Sequence, residues 1–151
     1  EDIYNGKGVT EAVHIKNNMD GVDKTLEYMD KIDNGLIFTN LVDFDMLYGH
    51  RNDPKGYGKA LEDFDGRLNE IYSKLRDEDI LIITADHGCD PTTESTDHSR
   101  EYIPILVYGK KVKGGTELGI RDSFTDIGKS VLDYLGIDNN LEGKSFINEI
   151  I

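Results

Sequence analysis

The sequence is poor in cysteine, in long apolar runs and in cationic side chains, and each shortage excludes a class of protein. A single cysteine, Cys89, leaves no internal disulfide and fits a reducing compartment. No apolar run approaches the roughly 18 residues that a membrane-spanning helix needs. The opening residues lack the basic start and the apolar stretch of a signal peptide. We therefore expect a cytoplasmic protein without a membrane partner.

The chain has far fewer cationic than acidic side chains. The chain has 17 Lys and Arg against 30 Asp and Glu, which gives a formal net charge of −13 at pH 7. Proteins that bind nucleic acids use clustered cations, so this charge argues against a nucleic-acid partner. Carboxylates also supply oxygen ligands for metal ions, but most surplus acid only keeps a surface solvated. Only the placement of particular acids can indicate more.

Hydrophobic periodicity predicts alternating helices and strands along the chain. The length of 151 residues suits one domain with a core, and the absence of an initial Met leads us to expect a piece of a longer chain. The helix and strand order predicts an α/β fold with a largely parallel sheet and helices on both faces. In order along the chain, the predicted elements are a helix at 20–33, a strand at 36–44, a helix at 58–76, strands at 80–85 and 103–108, and a helix from 123 to 135.

Histidine and aspartate residues cluster where the predicted strands end. Asp45 and His50 follow the first strand, Asp86 and His87 close the second, and His98 lies in the polar loop before the third. Ligands of parallel sheets bind beyond the carboxyl ends of the strands, so we expect these side chains at one edge. Carboxylate and imidazole without thiolate favour Mn²⁺ or Zn²⁺, with Mg²⁺ as an alternative. Two such ions about 3.5–4 Å apart would clamp a phosphoryl group.

The residues alone leave two choices open. Asp43 competes with Asp45, because alternate residues of a strand face opposite sides and composition does not choose between them. Asp86 and His87 are adjacent, so in an extended strand their side chains point in opposite directions. Either the chain turns at Gly88, or each of the two residues serves a different ion. A strand that ends in Asp and Gly is also an ordinary turn.

Two longer stretches resemble a known enzyme family. They are "DFDMLYGHRNDPKGYGKALEDFD" (residues 43–65) and "TADHGCDPTTESTDHSREYIPILVYGKKV" (residues 84–112). Both closely resemble the phosphopentomutases, which are metal-dependent members of the alkaline phosphatase superfamily, and the resemblance runs over essentially the whole chain. The short "TADHG" motif is also shared with the cofactor-independent phosphoglycerate mutases, so by itself it indicates only the superfamily.

The resemblance implies an enzyme that interconverts the 1- and 5-phosphates of ribose and 2-deoxyribose through a phosphorylated threonine and two Mn²⁺ ions. Its partner would be a small-molecule sugar phosphate. Carried over position by position, the family pattern implies that Asp45, His50 and His98 bind one ion. It implies that Asp86 and His87 bind the other. The same pattern favours Asp45 over Asp43.

Several parts of the family pattern are missing from this chain. In that family the threonine nucleophile, an early aspartate of the second metal site and a cap domain all lie upstream of these motifs. We therefore expect residues 1–151 to be the C-terminal portion of the metal-binding core domain. Without a catalytic residue of its own, it should be inactive until joined to the missing N-terminal part of its own chain. The alternatives are another metal-dependent phosphatase or phosphoglycerate mutase of the superfamily, or a non-catalytic metal-binding module.

Overall fold

The computed structural model describes residues 6–151. Within that range the chain combines α-helices with a small β-sheet, which agrees with the predicted mixture of helix and strand. None of the described helices is long and apolar enough to cross a membrane. In chain order the elements are α1 (Asn18–Lys31), a π-helix (Phe44–Gly49), α2 (Pro54–Lys74), β1 (Leu81–Thr84), β2 (Ile105–Tyr108), α3 (Thr125–Tyr134) and α4 (Ile147–Ile150).

The chain divides into two compact units. The first comprises the chain up to Ile71 together with His87–Glu101, and we call it the histidine unit because it contains all four histidines. The second comprises Tyr72–Asp86 and Tyr102–Ile151. We call it the arginine unit, after Arg121, whose side chain ties its segments together.

The two long helices of the chain begin where capping residues allow it. The side chain of Asn17 accepts a hydrogen bond from the backbone N–H of Asp20 at 2.9 Å, which caps α1 two residues before the predicted start. Helix α2 begins at Pro54, four residues before its predicted start, because proline suits the first turn of a helix. The carboxylate of Asp53 accepts from the N–H of Gly56 at 2.9 Å and caps that turn. The helices predicted at 20–33 and 58–76 are confirmed with earlier starts, and the helix predicted from 123 to 135 is confirmed as α3.

The described sheet consists of two antiparallel strands. Leu81 of β1 lies opposite Tyr108 of β2, and Thr84 lies opposite Ile105. The strands predicted at 80–85 and 103–108 are therefore confirmed in shortened form. The expected largely parallel sheet is not confirmed, because the two strands of residues 6–151 run in opposite directions.

The strand predicted at 36–44 is wrong for the described chain. Residues 36–41 belong to no helix or strand, and Phe44 already starts the π-helix. A strand persists only when its backbone N–H and C=O groups pair with a neighbouring strand. Within residues 6–151 no strand pairs with this segment, and Leu36 and Phe38 are each 57% exposed. The apolar pattern is that of a strand, but the part of the chain that the structure describes offers it no strand to pair with.

Each unit has its own small core. In the histidine unit Val22 of α1 and Ala60 and Ile71 of α2 are buried. In the arginine unit the most deeply buried apolar side chains are those of Phe146 and Ile150, near the end of the chain.

Candidate metal centre

The structure separates the two competing aspartates by what their carboxylates do. Asp43 Oδ2 accepts the backbone N–H of Asn18 at 2.8 Å, and the backbone N–H of Asp43 donates to Asn18 Oδ1 at 3.0 Å. This reciprocal pair ties the start of α1 to the segment before the π-helix, which is a structural role. Asp45, two residues later, has a buried Oδ1 atom with no hydrogen-bond partner. The geometry thus favours Asp45 as the aspartate that is available to a ligand.

The π-helix brings His50 next to Asp45. The backbone N–H of His50 donates to the carbonyl oxygen of Asp45 at 3.0 Å, the five-residue hydrogen bond that defines a π-helical turn. As a result, Nε2 of His50 lies 3.2 Å from Oδ2 of Asp45. Asp45 and His50, which follow the first predicted strand in the sequence, therefore share one turn of an uncommon helix, a feature that often accompanies functional sites.

A hydrogen bond sets the tautomer of His50. Its Nδ1 contacts the carbonyl oxygen of Thr96, which can only accept, so the ring proton resides on Nδ1. Nε2 then carries the lone pair of the ring, and this atom faces the carboxylate of Asp45. Metal-binding histidines are commonly oriented in this way, by a second hydrogen bond from the nitrogen that does not bind the ion.

A backbone bridge brings His87 and His98 side by side. Ser99 N–H donates to the carbonyl oxygen of Gly88 at 3.1 Å, and the two residues form an isolated antiparallel bridge. The imidazole rings of the preceding residues, His87 and His98, stack with centroids 3.7 Å apart and planes inclined by 16°. A Cβ on Gly88 would lie 2.6 Å from the Ser99 carbonyl oxygen, so this approach requires glycine.

Three imidazoles present Nε2 to the same carboxylate. Nε2 of His98 lies 3.6 Å and Nε2 of His87 lies 3.8 Å from Oδ1 of Asp45, and His50 faces Oδ2. His87 donates from Nδ1 to the carbonyl of Gly88 at 3.0 Å, which leaves its Nε2 as the acceptor. The rings of His50 and His87 therefore each direct an acceptor Nε2 toward Asp45, the form of imidazole that binds metal ions.

The structure brings together some of the predicted site residues and not others. One ligand atom from each of Asp45, His50 and His98 lies within 4.8 Å of the others. Opposite ligands of an ion with bonds of about 2.0–2.2 Å lie at most about 4.4 Å apart, so a small inward movement of the side chains would close this group on one ion. His87 lies at the edge of this group. Asp86 belongs to the arginine unit and is exposed. His14 is exposed and is not part of the group.

The residues present fit a metal ion. A buried carboxylate oxygen without a partner is costly in a protein, and a bound cation would satisfy Asp45 Oδ1. Burial, and then the charge of Asp45, raise the pKa of the nearby Cys89 thiol, and Cys89 is not among the residues whose ligand atoms come together. Nitrogen and oxygen donors without thiolate suit Mn²⁺ or Zn²⁺.

Sequence reasoning missed the residues that assemble the group. Gly49 is one of them. A Cβ at this position would lie 2.6 Å from the sulfur of Cys89, so the close approach of the two segments requires glycine here. Gly88 was considered only as a turn, whereas it forms the bridge to Ser99. A glycine directly after a candidate ligand was the available signal for close backbone approach. For Ser99 the sequence carried no signal.

Comparison with known proteins is consistent with a metal site. A family model described as the Metalloenzyme superfamily matches residues 1–139. A phosphopentomutase of Clostridium acetobutylicum is 76% identical over 146 residues, which are 97% of this chain and 37% of that protein. A phosphopentomutase of Acetivibrio thermocellus is 64% identical over 151 residues, which are 100% of this chain and 39% of that protein. The chain thus spans less than two-fifths of the length of these curated relatives.

Proposed function

The chain belongs to the Metalloenzyme superfamily, and we propose that it is the C-terminal core portion of a phosphopentomutase. The intact enzyme would interconvert ribose or 2-deoxyribose 1-phosphate and 5-phosphate in the cytoplasm. The observation that carries the proposal is the buried Oδ1 of Asp45, which has no hydrogen-bond partner although the Nε2 atoms of His87 and His98 lie 3.8 and 3.6 Å away. The names of relatives at 64–76% identity supply the substrate class.

We assign the metal ligands to two ions, Mn²⁺ in the first instance. Asp45, His50 and His98 would hold one ion, and Asp86 and His87 would contribute to the other. The first set is supported by ligand atoms within 4.8 Å of one another. The second set comprises two residues of the described chain, and we propose that other parts of the intact enzyme supply its further ligands.

In the proposed mechanism the residues of this chain bind the metal ions, and the nucleophile lies outside this chain. A phosphothreonine upstream of this chain would transfer its phosphoryl group to the sugar monophosphate, and the resulting bisphosphate would return its other phosphoryl group to the threonine. The bound ions would supply positive charge at the phosphoryl oxygens and at the threonine oxygen. The Thr96 carbonyl holds the proton of His50 at Nδ1, which keeps Nε2 free for binding.

We further propose that the intact protein completes a largely parallel sheet with helices on both faces. The exposed side chains of Leu36 and Phe38, in a segment with a strand-like sequence, support this proposal. Such a segment gains both hydrogen-bond partners and apolar burial when a neighbouring strand is supplied.

The test is to rebuild the enzyme and follow its reaction. We would join this chain to the N-terminal part of the Clostridium acetobutylicum relative and measure conversion of ribose 5-phosphate to ribose 1-phosphate in Mn²⁺. The rebuilt protein should turn over, and the isolated chain should not, because the loss of a covalent nucleophile leaves only residual catalysis. Turnover by the isolated chain would contradict the assignment of the nucleophile to the missing part.

A pair of matched histidine variants tests the metal assignment. His98→Ala in the rebuilt enzyme should lower turnover and Mn²⁺ affinity, because it removes one proposed ligand. His14→Ala makes the same change at an exposed position outside the group and should leave both unchanged. Equal activity of the two variants would refute the proposed ligand set. Metal binding without mutase activity in the rebuilt protein would favour a phosphatase, a phosphoglycerate mutase or a non-catalytic module.

A further inference from the structure

Asn52, two residues after the π-helix turn that carries His50, is unusual in two respects. It is the one non-glycine residue between positions 6 and 151 whose φ is positive, at 51°. Asparagine tolerates this left-handed conformation better than most residues, but glycine would adopt it without strain. In addition, the Oδ1 atom of Asn52 is buried and has no hydrogen-bond partner. Each feature costs free energy, so stability alone does not account for an asparagine here.

The other half of the Asn52 amide makes a long-range contact. Its Nδ2 donates to the carbonyl oxygen of Thr93 at 3.0 Å, across 41 positions of sequence. Thr93 lies in the exposed loop that leads to His98. His50 donates to a second carbonyl of the same loop, that of Thr96. Two side chains from one short segment thus hold the loop at two points three residues apart.

The loop needs such external contacts because its own bonds are local. The carboxylate of Asp90 accepts from the backbone N–H of Thr92 at 2.9 Å, and Ser95 Oγ accepts from the N–H of Asp97 at 3.1 Å. All residues from 92 to 98 are exposed, so packing does little to fix them. The position of His98 therefore depends on hydrogen bonds from outside the loop and on the bridge at its far end.

We propose that Asn52 is a positioning residue for the metal centre: its amide holds the Thr93 carbonyl and thereby keeps His98 within reach of Asp45. This inference rests on the proposed metal-binding function. The left-handed backbone at Asn52 lets the chain turn from His50 so that the side-chain amide faces the loop. In this orientation the Asn52 carboxamide donates one hydrogen bond to the loop, and its oxygen is left without a hydrogen-bond partner.

The decisive variant is Asn52→Gly in the 151-residue chain. Glycine keeps the left-handed backbone and removes both the donor and the unpartnered oxygen. Its folding, measured as thermal unfolding without metal, should be unchanged or slightly improved. Its affinity for Mn²⁺, followed by loss of the free-ion electron paramagnetic resonance signal, should fall about 10–100-fold, as is typical when a residue that orients a ligand is removed.

Two further measurements sharpen the test. Asn52→Asp keeps a residue that tolerates positive φ but directs a carboxylate oxygen at the Thr93 carbonyl, so it should also weaken Mn²⁺ binding. Hydrogen exchange of a peptide covering residues 90–98, without metal, should be faster in Asn52→Gly than in the wild type. Asn140→Gly, the same substitution at an exposed position of the arginine unit, is the control and should change neither quantity.

The outcomes separate this inference from the proposed function. If the wild-type chain binds no Mn²⁺, the proposed function is in error, and hydrogen exchange still decides whether Asn52 holds the loop. Unchanged exchange and unchanged affinity in Asn52→Gly would overturn the positioning role. Loss of the fold in Asn52→Gly would overturn it as well, because Asn52 would then be a structural residue.

Discussion

Two aspartates, one in each unit, differ in how the protein treats their carboxylates. In the arginine unit Asp126 is 3% exposed, and its oxygens accept from Arg121 Nε at 2.9 Å and from the backbone N–H of Lys144 at 2.8 Å. In the histidine unit one oxygen of Asp45 is buried without a hydrogen-bond partner. A buried carboxylate that the protein itself satisfies stabilises the fold, whereas one left unsatisfied is suited to a cation from outside.

Arg121 shows how fully the arginine unit satisfies its charges. Besides Asp126, the guanidinium donates from Nη2 to the carbonyl of Lys144 at 2.8 Å and from Nη1 to Glu149 at 3.3 Å. The hydroxyl of Ser130 donates to the Asp126 carbonyl at 2.6 Å. This network joins the start of α3 to the C-terminal segment.

Removing the guanidinium should have the largest effect on stability. Arg121→Met keeps much of the side-chain volume but leaves Asp126 without its cation, so we expect a loss of about 3 kcal/mol in the free energy of unfolding, the lower end of the range for breaking a buried ion pair. Urea unfolding followed by circular dichroism measures this loss. Arg121→Lys keeps the charge but not the planar fork, and should lose less. Equal stability of wild type and Arg121→Met would remove the contrast between the two aspartates.

A methyl group at Gly88 should damage the histidine unit instead. Its Cβ would lie 2.6 Å from the Ser99 carbonyl oxygen and 2.7 Å from the Glu101 nitrogen, both backbone atoms that cannot rotate away. We expect Gly88→Ala to cost about 2 kcal/mol, as overpacking does, and to weaken Mn²⁺ binding by separating His87 from His98.

The matched control for this change is Gly66→Ala in α2. A Cβ at Gly66 meets nothing within 4 Å, so alanine should stabilise the helix by up to about 1 kcal/mol. Thermal unfolding and Mn²⁺ titration of both variants measure the difference. Gly88→Ala binding Mn²⁺ as tightly as Gly66→Ala would show that the bridge does not assemble the histidines.

A smaller loss of stability is expected for a substitution at Gly49, and a second substitution at Cys89 should restore most of it. Alanine there would place Cβ 2.6 Å from the sulfur of Cys89, so Gly49→Ala should cost about 1 kcal/mol. Cys89→Ala removes the sulfur and should recover most of that loss in the double variant. A double-mutant cycle by denaturant unfolding gives the coupling energy directly. Additive effects would mean that the clash lies elsewhere, since the Phe44 carbonyl is also near, at 3.2 Å.

The pH dependence of Asp126 should give the smallest effect. The backbone N–H of Lys144, followed by Arg121, lowers the pKa of this carboxyl. A carboxyl whose pKa is lower in the folded than in the unfolded chain stabilises the fold above its ordinary pKa of about 3.9 and loses that contribution as the pH falls further. Asp126→Asn should therefore unfold with a flatter pH dependence below pH 4. Identical acid profiles, measured by circular dichroism, would contradict this contribution.

Much of the local structure could be predicted from the sequence. Apolar residues at helical spacing predicted α1 and α2, and short apolar runs predicted β1 and β2, because side-chain periodicity is a local property of the chain. The residue types of the candidate centre, carboxylate and imidazole without thiolate, were also readable. The ability of a carboxylate or an imidazole to bind a metal ion does not depend on its position in the fold.

Other features depended on contacts between distant parts of the chain. Asn18 engages Asp43 across 25 positions, which leaves Asp45 as the available carboxylate. The segment 36–44 has a strand-like sequence, but the neighbour that would make it a strand is not among residues 6–151. The tautomer of His50 is set by a carbonyl 46 positions away.

For this protein, then, the amino-acid order alone determined which helices and strands can form and which side chains can bind a cation. Tertiary structure decided which of those side chains meet, because a hydrogen bond between distant residues depends on where the whole backbone goes. The histidine pair shows the difference most directly. His87 and His98 are recognisable as ligands from their type, but only the bridge between Gly88 and Ser99 brings their rings to 3.7 Å.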